Sequence, residues 1–194
     1  GMQIRLDRPF DHTKYIWLSS VNDNMGAGSG SPVHFVGNPE DEIVFMTEGP
    51  LKGDLSHFLS RRSFACVPGV NQYANLPDVI LKLKRSGVKL IYETYDMDKL
   101  LNTACQMDYD EACVSCEFRK EKGKHQCLKK IEKRKHIQGG CKKLYGICRE
   151  LLVACKQFVW DLDAEGMWAG NLKGVDDWLY DLKGKTPDQA DEDR

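Results

Sequence analysis

Apolar and polar positions divide the chain into short segments with distinct periods. KYIWLSS and PVHFV read as short strands, and EIVFMTE carries the unbroken apolar run of a strand buried on both faces. From about Leu51 to Arg61 the spacing changes: Leu51, Leu55, Phe58 and Leu59 recur as on one face of a helix. SFACVPG then reads as a strand running into a loop. LPDVILKLKRSG reads as a helix, with Pro77 near its start and Gly87 as its C-cap. VKLIYETYD is the next strand, KKLYGICRELLVACK an amphipathic helix and QFVWDLD the last strand. Strands alternating with helices predict an α/β domain with a mainly parallel central sheet flanked by helices. Ligands of such sheets bind where the strands end, and both Glu48 and the Asp96/Asp98 pair stand at predicted strand ends.

Composition alters this picture little. The 194 residues suffice for one domain with an insertion, and 41% apolar with 29% charged residues is ordinary for a globular protein. No apolar run reaches the roughly 18 residues of a membrane span, and the N-terminus lacks a signal-peptide pattern, so a cytoplasmic protein with no membrane partner is expected. The charge distribution matters more. The net charge is −1, yet Glu117 to Arg149 holds twelve basic residues against three acidic ones, a local charge of +9. Residues 184–194 form an acidic tail expected to be disordered.

Three segments carry candidate chemistry. In IVFMTEGPLKGD a hydrophobic strand delivers Glu48 to a Gly-Pro turn beside a helix N-terminus, where an acid can also simply stabilise the helix dipole. In VKLIYETYDMDK the period of two puts Asp96 and Asp98 on one side of a strand, about 7 Å apart, an arrangement that a cation would favour. A second pair, Asp161 and Asp163 in VWDLDAEG, competes for that role. The Gly-rich NMGAGSGSP lacks the Lys-Ser/Thr of a phosphate-binding loop and reads as a flexible connection.

Seven of the eight cysteines follow residue 100. CVSC, Cys113 to Cys116, has the spacing of a zinc knuckle, and Cys127, Cys105, Cys141 and His125 could complete it; reduced free thiols and an iron–sulfur cluster are the other readings. Cys141, Cys148 and Cys155 recur every seven residues as the buried stripe of a helix. Lys129, Lys130, Lys133 and Arg134, in the +9 segment, suit contact with a nucleic-acid backbone.

Taken together, YIWLSS, GSGSPVHF, TEGPLKGD, VPGVNQY, YDMDK and GVDDWL resemble, in order, a Toprim-like family of uncharacterised function associated with primase-like replication proteins of phages, plasmids and mobile elements. The resemblance runs from about Tyr15 to Leu179 and misses the stretch between roughly Leu100 and Gly140. It implies a Toprim-like (Rossmann-like) domain over residues 41–183, with a Cys/Lys-rich insertion at about 100–140 and an N-terminal strand/loop segment, 1–40, packing on it. By position, Glu48 matches the family's general acid/base or metal ligand, and Asp96 and Asp98 match its Mg²⁺-binding pair, for which Mn²⁺ can substitute. Asp176 and Asp177 in GVDDWL match an acidic motif that adds outer-shell ligands, although helix N-capping is an equal reading. Lys52 stands where it could touch a phosphate. Asp98 is followed by KLLN, where the family usually has small residues. The implied function is Mg-dependent nucleotidyl transfer or strand cleavage on DNA within a primase-like protein, with other replication domains or a helicase as partners. The alternative is a non-catalytic nucleic-acid-binding module with a basic, zinc-stapled insertion.

Overall fold

In the computed structural model, residues 2–10, 13–18, 30–105, 116 and 125–184 are described. The order is β1 (Met2–Phe10), β2 (Thr13–Leu18), β3 (His34–Val36), β4 (Ile43–Glu48), α1 (Pro50–Ser60), β5 (Ser63–Val67), α2 (Leu76–Arg85), β6 (Leu90–Glu93), a 3₁₀ turn (Met97–Leu100), α3 (Leu128–Glu150), β7 (Ala154–Gln157) and α4 (Val175–Lys183). β1 and β2 form an antiparallel pair of their own. The main sheet has the order β3-β5-β4-β6-β7; β3 runs antiparallel to β5 and the other pairings are parallel. The architecture is therefore α/β, with a mixed, mostly parallel five-stranded sheet flanked by helices.

The period of two along the central strands sorts their side chains into two cores. Val44 and Met46 of β4, Ala65 and Val67 of β5 and Ile91 of β6 face α2 and α3, where they meet Ile80, Leu83, Leu144 and Cys148. Phe45, Phe64 and Tyr92 point the other way, toward the side covered by α1 and α4. There Phe45 lies 5.3 Å from both Phe64 and Tyr92, and Phe158 lies 5.3 Å from Trp178. One face is thus largely aliphatic and the other aromatic. No helix among the described residues is long and apolar enough to cross a membrane.

The strands and helices from β3 to β6 follow the sequence pattern closely; two differences lie later. The predicted strand VKLIYETYD stops at Glu93, and Thr94 takes over its pairing by donating from its backbone N and its hydroxyl to Met46 O, both at 2.9 Å. The second difference is α3, which begins at Leu128, inside the segment read as the insertion, and ends at Glu150; Ala154 to Gln157, read partly as its tail, form β7 instead, and QFVWDLD, read as the last strand, contributes only Gln157 to it. Cys155 therefore belongs to a strand, although Cys141 and Cys148 keep the buried helical stripe. The early start was hidden by Gly139-Gly140, which reads as a break. In the fold a Cβ on Gly140 would sit 2.7 Å from Val70 O, so this glycine lets the helix lie directly on the loop after β5.

Candidate active site

Glu48 closes β4 in register with Val67 of β5, and Gly49 N donates to Val67 O at 2.8 Å. Gly49 adopts φ 87°, a left-handed value that suits glycine, and this reverses the chain so that α1 starts at Pro50. One turn into α1, Lys52 points back across the sheet end and pairs with Asp96 Oδ1.

Asp96 and Asp98 do not extend a strand; Asp96 immediately precedes the 3₁₀ turn and Asp98 lies within it. They are 3% and 1% exposed, so two carboxylates that would be solvated at a strand end are instead held almost dry. What balances them comes from a segment distant in sequence. Lys173 Nζ lies 3.0 Å from Asp96 Oδ2 and 3.0 Å from Asp98 Oδ2, and its own carbonyl accepts from Met97 N at 2.9 Å, between the two aspartates. Lys133 of α3 approaches Asp98 Oδ1 at 3.2 Å, without the alignment of a hydrogen bond. Burial opposes charge on Lys173, but Asp96 and then Asp98 outweigh it and hold the ammonium above the ordinary lysine pKa.

Two further acids face this cluster. Burial, reinforced by Asp96, pushes the Glu48 carboxyl up, with Lys52 and Lys173 opposing. Burial likewise raises Asp176, against Lys52 and with Asp177 adding to it. Glu48 Oε2, Asp98 Oδ1 and Asp176 Oδ1 are buried oxygens without a hydrogen-bond donor. The Asp176/Asp177 doublet is split: Asp177 Oδ2 accepts from Gly174 N at 2.8 Å and caps α4, while Asp176 turns toward the lysines and acids of the cluster.

Beneath the 3₁₀ turn lies a second polar network. Lys99, 1% exposed, donates to Glu93 Oε1 at 2.9 Å and to Phe158 O at 3.0 Å, while Tyr145 OH donates to Glu93 Oε2 at 2.8 Å. This accounts for the lysine after Asp98, where small residues were expected: it anchors the turn from below. Gln138 donates to Lys99 O at 2.8 Å and Arg134 to Leu101 O at 3.3 Å, so α3 holds the same turn from the side.

The remaining expectations divide. Lys130 is 6% exposed and Arg134 is engaged with backbone, whereas Lys129 is exposed. Asp161 accepts from Asn171 N and Leu172 N, both at 2.8 Å; these bonds outweigh its partial burial and hold its carboxyl below the usual range. Asp163 accepts from Glu165 N and Met167 N. This second Asp-x-Asp pair therefore shapes the loop before Lys173 and lies outside the cluster. Of the proposed zinc ligands, Cys113 lies outside the described residues, as does most of the Gly-rich NMGAGSGSP. Cys105 and Cys127 are brought to the base of the excursion, where Cys105 N donates to His125 O and Cys127 N to Thr103 O. Cys105, Cys116 and Cys127 are free thiols, and no three His, Cys, Asp or Glu side chains among the described residues form a metal-ready group.

Lys173 is the site residue that sequence reasoning missed. Its one local signal was adjacency to GVDD, and nothing in the pattern linked it to Asp96 and Asp98, some 75 residues upstream. In donor chemistry Asp96 and Asp98 suit a hard divalent cation: their oxygens are carboxylate oxygens and the two Oδ2 atoms converge on one point, the Lys173 ammonium, although Glu48 does not join them in a ready three-ligand group. Compared with protein-family models, curated proteins and solved structures, the chain matches none.

Proposed function

We propose that this chain is a Toprim-like domain for Mg²⁺- or Mn²⁺-dependent phosphodiester chemistry on DNA, within a primase-like replication protein of a mobile element. The observation that supports it best is the convergence of acids from separate motifs, Glu48, Asp96 and Asp98, at the C-terminal ends of adjacent parallel strands, with buried oxygens left unsatisfied. Asp96 and Asp98, joined by Glu48 when it is ionised, would hold the cation, which when bound supplies charge neutralisation and orientation of a phosphate. Glu48, its carboxyl pushed up by burial, is suited to hold a proton and release it as general acid/base. Lys52 and Lys133, which flank the aspartates, would anchor phosphate oxygens. Exposed lysines along α3 would carry the flanking strand.

A second reading rests on a specific observation: the Asp96/Asp98 pair is already balanced by Lys173. Under it the fold is a non-catalytic nucleic-acid-binding module whose acids are structural. Titration calorimetry of Mg²⁺ and Mn²⁺ into the wild type and into Asp96→Asn/Asp98→Asn separates the two. The catalytic reading expects binding that is lost in the double variant; binding that survives it, or is absent from both proteins, overturns that reading in favour of the module.

A further inference from the structure

We infer that Lys173 is a resident counter-ion which competes with the divalent cation for the Asp96/Asp98 pair, so that loading the metal expels its side chain toward solvent. The inference rests on the catalytic reading above and specifies how that site is kept when no metal is bound.

The geometry argues for competition in three steps. First, one ammonium nitrogen lies 3.0 Å from an oxygen of each aspartate, so it occupies the point on which both carboxylates converge. A magnesium ion there would draw oxygens to about 2.0–2.1 Å, which leaves no room for an ammonium between the same atoms. Second, the pair cannot simply be left empty. Both aspartates are nearly fully buried, and a buried charge left without compensation is strongly destabilising. Lys52 and Lys133 each meet one of these carboxylates on its Oδ1, and Lys173 is the cation the chain supplies between the two Oδ2 atoms.

Third, the exchange needs little rearrangement. The Lys173 backbone is fixed by Met97 N and by the N-cap of α4 that follows, while its side chain is 44% exposed and has an open route to solvent. The backbone anchor stays as the side chain swings, which leaves the ammonium tethered near the aspartates. Lys52 and Lys133 approach the same carboxylates on their other oxygens, so release of Lys173 would put a third cation beside an incoming phosphate.

When a competitor occupies the site, the apparent metal affinity falls by the fraction of molecules in which the site is free. Calorimetry with Mn²⁺ on wild type and Lys173→Met should therefore give binding at least tenfold tighter in the variant. Thermal unfolding of the same samples gives an independent readout. Without metal, Lys173→Met should melt below wild type, and saturating Mn²⁺ should raise its Tm by more than it raises the wild type's. Lys173→Arg keeps the charge with a fork that grips two carboxylates more firmly, and it should bind Mn²⁺ more weakly than wild type, so the test stands even where Lys173→Met fails to fold. If wild type binds Mn²⁺ and neither variant changes the affinity, or Lys173→Met weakens it, competition is overturned while the catalytic reading survives. If wild type and variants all fail to bind, both fall together.

Discussion

Glu48 and Lys173 show how a residue's surroundings turn an ordinary side chain into a candidate working part. The Glu48 carboxyl is pushed up, chiefly by burial and secondarily by Asp96. An acid whose folded-state pKa is raised stabilises the fold while it is protonated, below its unfolded value of about 4.3, and that contribution is lost as pH rises through the folded value. Once ionised, Glu48 is therefore a burden on stability. Glu48→Gln should raise Tm by roughly 2–4 °C at pH 7, and the difference should vanish toward pH 4; differential scanning calorimetry across that range checks both. A variant that gains stability while losing catalysis marks an acid kept for chemistry. Lys99 presents the contrast: it is also paired with a carboxylate, but it is fully enclosed and bonded on every side, which makes it an anchor rather than an exchangeable cation.

Among the elements, α3 carries the most varied duties. Ile137, Cys141, Leu144 and Cys148 bury its inner stripe against the aliphatic core, while Lys133, Arg134 and Gln138 reach the 3₁₀ turn that bears the aspartates. Its two adjacent glycines test the packing directly. Nothing lies within 4 Å of a Cβ on Gly139, so Gly139→Ala should stabilise by up to about 1 kcal/mol through helix propensity alone. Gly140→Ala would drive a methyl against the Val70 backbone and should destabilise by about 1–3 kcal/mol despite the same propensity gain. Urea unfolding of the two single variants should give opposite signs; equal signs would show that the loop after β5 yields.

At the scale of the whole molecule, a net charge of −1 conceals a local unevenness, with basic residues gathered on α3 beside a site that holds Glu48, Asp96, Asp98 and Asp176. Lys130 is buried, and Lys133 and Arg134 face the site and its turn, so the outward charge of α3 is better represented by the exposed Lys135, Lys142 and Lys143. On the proposed reading, reversing these three to Glu should weaken DNA binding uniformly across sequences. If each meets one phosphate, the slope of log affinity against log salt should fall by about 3. Fluorescence anisotropy at several salt concentrations measures it, and an unchanged slope would remove α3 from the interface.

The sequence by itself determined the run from β3 to β6, because period two and period 3.6 are local properties: each strand and helix there carries its own apolar spacing, and Gly49-Pro50 and Gly87 mark their ends. It also singled out Glu48, Asp96 and Asp98, since carboxylates at strand ends can be read from a few adjacent residues. Tertiary structure decided the rest. The start of α3 was hidden because lysines dilute its apolar stripe and Gly139-Gly140 imitates a break, and only contact with Val70 explains the pair. Lys173 was hidden because an ion pair depends on where two distant segments meet, and no local period records that meeting. The question of what neutralises Asp96 and Asp98 was legible in the chain; the lysine that bridges both became visible only when the loop before α4 was folded back over the 3₁₀ turn.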